Sequence, residues 1–276
     1  MNVIWYDAAR GNWDSGLICS IFDKHPETFP QHNSKELIYP DKAIVIVVGR
    51  PEVAPLRAYL DKLKSGLVIL TSEEDAYFDW KAAIPSHLEI WTQYYSPSKE
   101  GIKTRLLLGA PNRLKDFKIN LDLPKKYLWS FVGQVQNPSR QACVEVLKGL
   151  PDGFLHIADG FGGVNGLNYQ DYLDVMCESK FVICPAGSMC VDSFRFYEAI
   201  ECGAIPITEK RAPRDKETFN YWSECGVEFQ WAPLDKWETL NLVIRNADEF
   251  YYGQYKNWWD DYKQDLEQKL LSYADN

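Results

Sequence analysis

Residues 179–210, SKFVICPAGSMCVDSFRFYEAIECGAIPITEK, combine an apolar strand, a loop containing Pro185 and Gly187, and a helical pattern from about Ser193. This order places free backbone N–H groups and the positive end of a helix dipole where a phosphate can sit. The stretch therefore predicts an α/β fold with an anion site after a buried strand.

Short apolar runs alternate with helical patterns on both sides of this stretch. Apolar strands separated by amphipathic helices are typical of a parallel sheet covered on both faces. We expect strands at residues 3–6, 43–48, 67–71, 88–92, 128–132, 154–157, 181–184 and 204–207, and a weaker one at 105–108. Helices are expected at residues 52–64, 139–148, 169–178 and 193–202.

A polar, basic segment ending in LPKK separates the two series of strands and indicates a domain boundary. We therefore expect a Rossmann-like domain over residues 1–122 and a second over 123–252. The tail carries aromatic and aliphatic residues at helical spacing and predicts two helices broken near Gly253. Residues 253–276 are expected to form a helix that packs back on the first domain.

The composition argues against several classes of protein. The formal net charge of −9 argues against a nucleic-acid binder, because such proteins need Lys and Arg to neutralise phosphates. The seven cysteines include no CxxC pair and the four histidines are scattered, so we expect reduced thiols and no metal site. The N-terminus resembles no signal peptide, and no 18-residue apolar run occurs, so we expect a cytoplasmic protein without a membrane span.

The helical pattern after the loop carries candidate ligand-binding groups. Asp192 or Ser193 can cap this helix. Arg195 and Glu198 are three residues apart and project from one face, so that Arg195 can bind a diphosphate bidentately and Glu198 can accept from ribose hydroxyls. The alternative is a helix cap followed by a surface Arg–Glu pair, which is common on helices.

Two segments resemble the exostosin family of glycosyltransferases. CPAGSMCVDSFRFYEAIECGAIPI at residues 184–207 is similar to the family's Cys-Pro-x-Gly loop, Asp-Ser-x-Arg helix start and Glu-Ala turn into Ile-Pro. WSFVGQVQNPSR at residues 129–140 resembles its Phe-x-Gly strand-turn and the Arg of the next helix. The resemblance implies a GT-B architecture, two facing Rossmann-like domains with the nucleotide sugar held by the C-terminal one and the acceptor by the N-terminal one.

The resemblance also implies a set of donor-binding residues. Gly133 and Gln134 would border the donor, Arg140 would face its phosphates and Glu198 would hold the ribose. The diphosphate pocket would be lined by Ser188, Asp192, Ser193 and Arg195. Independently of the resemblance, Lys210 lies in a basic cluster that can neutralise the leaving diphosphate in place of a metal, and a solvated basic loop is the alternative explanation.

The catalytic carboxylate is expected in the first half of the chain. Glu201 and Glu209 have the spacing of a retaining-enzyme motif. However, alignment on the family core puts the motif's second glutamate at Glu198 and its first at Cys190, so the motif is incomplete. This favours an inverting displacement, in which a base takes the proton of the attacking hydroxyl. Among loop acids after the first-half strands, Glu73 and Asp14 rank first.

The sequence thus predicts an inverting, metal-independent hexosyl- or pentosyltransferase with no cofactor. The donor would be a nucleoside diphosphate sugar, with UDP-sugars first and UDP-xylose one candidate. The acceptor would be a hydroxyl of a glycan or glycoprotein, in a host cytoplasm if the chain is viral. Two alternatives stay open: a GDP-fucose-dependent enzyme, and an inactive nucleotide- or glycan-binding module.

Overall fold

The chain divides into two compact units. The computed structural model describes residues 1–6, 12–33, 38–72, 74, 77–96, 99, 101–102, 104–160, 165–187, 189–227, 233–246 and 250–275. The first unit comprises Met1–Asn112 with Gln264–Asn276, and the second comprises Arg113–Lys263.

A parallel sheet forms the centre of the first unit. Its strands, within the described residues, lie in the order β2-β1-β3-β4-β5-β6. They are β1 (Asn2–Tyr6), β2 (Gln31–Asn33), β3 (Lys42–Val48), β4 (Ser65–Thr71), β5 (Glu89–Thr92) and β6 (Thr104–Arg105). The apolar β-branched residues of β3 and β4 are buried on both faces, as a covered parallel sheet requires.

Helices flank this sheet. They are α1 (Gly16–Lys24), α2 (Val53–Leu60) and α3 (Trp80–Ala83). Helix α2 ends earlier than the periodicity predicts, because the chain turns after Leu60 and buries Leu63 on its way to β4.

The C-terminal helix α9 (Phe250–Asp275) belongs partly to this unit. Its last turns bury Leu266 and Leu270, and Glu267 accepts from His25 Nε2 at 2.6 Å. The tail forms two helices as predicted, one at Leu240–Asn246 and this one, but this helix begins at Phe250 and runs unbroken through Gly253, so the predicted boundary is displaced. A helical glycine costs only about 1 kcal/mol relative to alanine, which the buried stripe of this long helix outweighs.

The second unit contains another parallel sheet, ordered β10-β9-β7-β8 in the described part of the chain. Its strands are β7 (Tyr127–Gly133), β8 (Gly153–Ile157), β9 (Ser179–Cys184) and β10 (Ile205–Thr208). Its further helices are α4 (Pro138–Leu147), α5 (Tyr169–Cys177), α6 (Phe194–Glu201), α7 (Tyr221–Glu224) and α8 (Leu240–Asn246).

Most predicted elements are confirmed, and the α/β fold class with them. At 105–108 the strand ends at Arg105, although the Leu106 N–H still donates to the Thr92 carbonyl at 2.7 Å and Leu106 to Leu108 are buried. In the described ranges no helix is both long and apolar enough to cross a membrane.

Candidate functional site

The loop after β9 is fixed by side chains from α4. Asn137 caps that helix, and its Nδ2 donates to the carbonyls of Ala186 and Gly187 at 3.3 and 2.8 Å. Arg140 Nε donates to the Ala186 carbonyl at 2.9 Å, and its Nη1 to the Gln134 carbonyl at 3.3 Å. The loop that sequence analysis singled out is therefore tied to the end of β7.

A buried carboxylate supports the same loop from the other side. Glu209, directly after β10, accepts from the Ala186 N–H at 3.3 Å, and both of its oxygens lie 2.7 Å from Ser139 Oγ. Trp237 Nε1 donates to that hydroxyl at 3.1 Å. Burial raises the pKa of Glu209, against the lowering effect of the Ser139 hydroxyl.

In the sequence, Glu209 stands out only through its spacing from Glu201, which alignment on the family core sets aside in favour of Glu198. The position of Glu209 at the carboxyl end of a buried strand was the feature that could have identified it. Open α/β sheets bind ligands at that edge.

The side chain of Arg195 contacts the end of β7. Its Nη2 donates to the Val132 carbonyl at 2.8 Å, and its guanidinium carbon is 5.0 Å from the centre of the Phe131 ring. A side chain at Gly133 would place its Cβ 2.5 Å from Nη2, so glycine leaves the guanidinium its room. Nε and Nη1 are buried without a hydrogen-bond partner among the described residues.

Three more polar atoms, at the carboxyl edge of the second unit's sheet, are also buried without a hydrogen-bond partner in the described ranges. Gln134 Oε1 follows β7, Ser193 Oγ precedes α6 and Thr208 Oγ1 ends β10, and each is buried without a partner in the described part of the unit. Buried polar atoms in folded proteins are nearly always hydrogen-bonded. At the carboxyl edge of this sheet, a bound anionic ligand would satisfy the Arg195 donors and the two hydroxyls, whereas Gln134 Oε1 needs a ligand group that donates.

The carboxylate of Glu198 is occupied by tyrosines. It is 3% exposed, and its two oxygens accept from the hydroxyls of Tyr169 and Tyr172. Burial raises its pKa, while the two hydroxyls and Arg195 lower it. Arg113 covers the Tyr169 ring, with its guanidinium carbon 3.6 Å from the ring centre. That Glu198 holds a ribose stays a prediction.

The other predicted donor residues fall into three cases. Asp192 is buried and accepts from Tyr197 at 2.7 Å and Tyr221 at 2.8 Å, which anchors the start of α6. Lys210 pairs with Asp235 at 2.7 Å. Ser188 lies outside the described residues.

The candidate bases belong to the first unit. Asp14 lies in a 3-10 helix, Trp13–Ser15, and its Oδ1 accepts from the Tyr94 hydroxyl at 3.1 Å. Burial raises the Asp14 pKa, and hydrogen bonds from Ser72 and Tyr94 oppose that shift. Glu73, the other candidate, is outside the described residues.

Metal ligands are not grouped in the described part of either unit. No cluster of three or more His, Cys, Asp and Glu side chains among those residues is placed to hold an ion.

One known family model matches more than half of the chain. Residues 111–275 match the family model described as the RXYLT1 C-terminal domain. No curated protein matches the chain.

Proposed function

Because the chain belongs to the RXYLT1 C-terminal domain family, a xylosyltransferase-related glycosyltransferase domain, we propose that it transfers a sugar from a UDP-sugar to a glycan hydroxyl. UDP-xylose is the first donor to test. The exostosin-like loop and helix start are consistent with this assignment, and we extend the proposal to a GT-B architecture in which each unit is one Rossmann-like domain.

One observation carries the donor site: the buried, unpartnered polar atoms around Arg195. A guanidinium makes charge-assisted hydrogen bonds to phosphate oxygens, and Nε and Nη1 of Arg195 supply two donors on different edges of the group, while Nη2 stays on the Val132 carbonyl. Ser193 Oγ would donate to the same diphosphate at the start of α6, where the helix dipole favours an anion. Gln134 Oε1 would accept from a donor hydroxyl.

The proposed reaction is an inverting displacement. The acceptor hydroxyl oxygen forms a bond to the anomeric carbon of the donor while its proton passes to the Asp14 carboxylate. The bond between that carbon and the diphosphate oxygen breaks, and its electron pair leaves with UDP. Arg195 would stabilise the charge that develops on the leaving group, a role that a metal ion fills elsewhere.

The test is a calorimetric and thermal-shift screen of the full chain against UDP, GDP, CMP and their sugars, with EDTA present. Ligands that bind only the folded state raise its apparent stability. We expect selective binding of UDP and one UDP-sugar, followed by release of UDP when a glycan acceptor is added. Binding of GDP alone would instead favour a fucosyltransferase-like enzyme. Nucleotide binding without any turnover would favour an inactive module, and no binding of any nucleotide would contradict the donor site.

A further inference from the structure

Two non-glycine residues in the first unit adopt the left-handed backbone region directly after neighbouring strands. Ser72 follows β4 with φ 59°, and Tyr94 follows β5 with φ 51°. Residues other than glycine seldom adopt this region, and such conformations concentrate at functional sites. Both side chains reach the same short segment: Asn12 Nδ2 donates to Ser72 Oγ at 2.6 Å, and Tyr94 donates to Asp14 at 3.1 Å.

Buried polar groups hold this arrangement from behind. Gln93 is 1% exposed, and its Nε2 donates to the Asp14 carbonyl at 3.0 Å. Lys99, also buried, donates from Nζ to the carbonyls of Gln93 and Tyr94, at 3.1 Å each. Satisfied buried networks of this kind fix one geometry. The segment around Asp14 is therefore held rigidly on the edge where parallel sheets place their ligands.

The segment itself offers two groups to a ligand. Asn12 Oδ1 is buried and lacks a hydrogen-bond partner among the described residues. The next residue, Trp13, is 44% exposed although it lies in the short helix that contains Asp14. An accepting oxygen, an exposed indole and a carboxylate thus occur in three consecutive residues.

We propose that Asn12 and Trp13 form the acceptor subsite and that they bind a sugar ring. The indole packs against the C–H face of the ring, and Asn12 Oδ1 accepts from a hydroxyl beside the one that Asp14 deprotonates. Ser72 is a positioning residue that contacts both the Asn12 amide and the Asp14 carboxylate. The inference rests on the proposed glycosyl transfer and adds the residues that bind the acceptor glycan.

The experiment measures transfer from the UDP-sugar to p-nitrophenyl β-xyloside, β-glucoside and β-galactoside, together with hydrolysis of the donor by water. Trp13→Ala and Asn12→Ala should each raise the KM for the best glycoside about tenfold, the effect of losing one modest contact. Donor affinity, whose proposed ligands lie in the second unit, should stay at the wild-type value. Tyr39→Ala, which removes another half-exposed aromatic ring of the same unit, is the control and should change nothing.

A double variant separates positioning from general damage. Ser72→Ala should raise the glycoside KM through the Asn12 amide, and adding it to Asn12→Ala should raise KM no further. Because Ser72 also lowers the Asp14 pKa, Ser72→Ala should in addition move the acid limb of the kcat/KM profile to higher pH, which Asn12→Ala should not do. Wild-type glycoside KM in Trp13→Ala and Asn12→Ala, or a wild-type enzyme that hydrolyses donor but accepts no glycoside, overturns the subsite. Failure of the wild-type chain to bind or hydrolyse any UDP-sugar overturns the proposed function instead.

Discussion

At the residue scale, the buried charges of the second unit differ in whether their partners are already present. Asp192 and Glu198 each accept two tyrosine hydroxyls. Arg195 Nη2 donates to the Val132 carbonyl, and the guanidinium also interacts with Tyr172 and Glu198, but its Nε and Nη1 lack hydrogen-bond partners in the described residues. A buried donor without a partner loses its solvation without compensation. Arg195 therefore has the most to gain from a ligand.

The first prediction concerns this guanidinium. Arg195→Ala should weaken UDP binding by about 1.5–3 kcal/mol, the range for hydrogen bonds to charged groups, and calorimetry measures it directly. Arg195→Lys should recover only part of the loss, because an ammonium lacks the fixed, planar set of donors of a guanidinium. Arg245→Ala removes an exposed arginine of the same unit and is the control. Unchanged UDP affinity in a folded Arg195→Ala protein would contradict the assignment.

The second prediction is the pH dependence of turnover. A base must be ionised, so activity falls as the pH drops through the Asp14 pKa. Burial raises that pKa, which moves the acid limb of the kcat/KM profile above the pH expected for an ordinary aspartate. Tyr94→Phe removes a hydrogen bond that lowers the pKa and should move the limb to still higher pH. Tyr77→Phe, at an exposed ring, should leave it in place. If the acid limb of the kcat/KM profile lies at the pH of an ordinary aspartate and does not move in Tyr94→Phe, Asp14 is not the base.

At the scale of elements, the loop after β9 owes its shape to contacts from α4 and from the end of β10. Asn137 and Arg140 hold its carbonyls, while Glu209 holds the Ala186 N–H. Three side chains from two elements thus fix a short loop beside the proposed diphosphate site, and the N–H groups of Ala186 and Gly187 are used within the protein, by Glu209 and the Cys190 carbonyl. Disturbing any one of them should act on donor binding without touching the donor.

The third prediction follows for Glu209. Glu209→Ala leaves the Ala186 N–H and Ser139 without their buried acceptor, at a cost of about 1–3 kcal/mol in the free energy of unfolding. UDP affinity should fall as well, because the loop loses its support. Glu209→Gln keeps an accepting oxygen and should retain most of both. Thermal unfolding and calorimetry measure the two effects. Glu217→Ala, at an exposed glutamate, is the control, and a Glu209→Ala protein that matches it in both measurements would contradict the supporting role.

Elements were predictable where local pattern decides them. The apolar runs of β3, β4, β7 and β9 give strands because such runs can only be buried in a covered sheet. Strand β2, QHN, was not predicted because it is short and polar, and its pairing with β1 is a long-range contact. The second helix of the tail continues through Gly253 for a related reason, since packing overrides a weak local preference.

The proposed donor and acceptor sites likewise differ in how well the sequence predicts them. The loop before α6 could be found from sequence, because strand, glycine and helix start are contiguous there. Ser72 and Tyr94 could not, because their meeting with Asn12 and Asp14 depends on β4 and β5 being neighbours in the sheet. No local spacing encodes that adjacency.

At the scale of the whole molecule, the first unit is built from two distant parts of the chain. Residues Met1–Asn112 form its sheet, and the end of α9 completes its core with Leu266 and Leu270. Lys24 and His25 pair with Glu267, and Lys42 Nζ donates to the Tyr273 carbonyl at 2.9 Å. The acceptor side of the proposed enzyme therefore depends on residues that follow the donor-binding unit in sequence.

The last prediction tests this dependence. Leu270 is 0% exposed, and Leu270→Ala should destabilise the first unit by about 2–5 kcal/mol through lost burial and the cavity left behind. Hydrogen exchange should then show faster opening in the strands β1 to β5, while calorimetry should find UDP affinity unchanged, since its proposed ligands lie in the second unit. Lys269→Ala, at the exposed neighbour on the same helix, should alter neither measurement. Equal loss of protection in both units would mean that the chain unfolds as one cooperative body, and wild-type protection throughout would mean that the end of α9 contributes nothing to the first unit's stability.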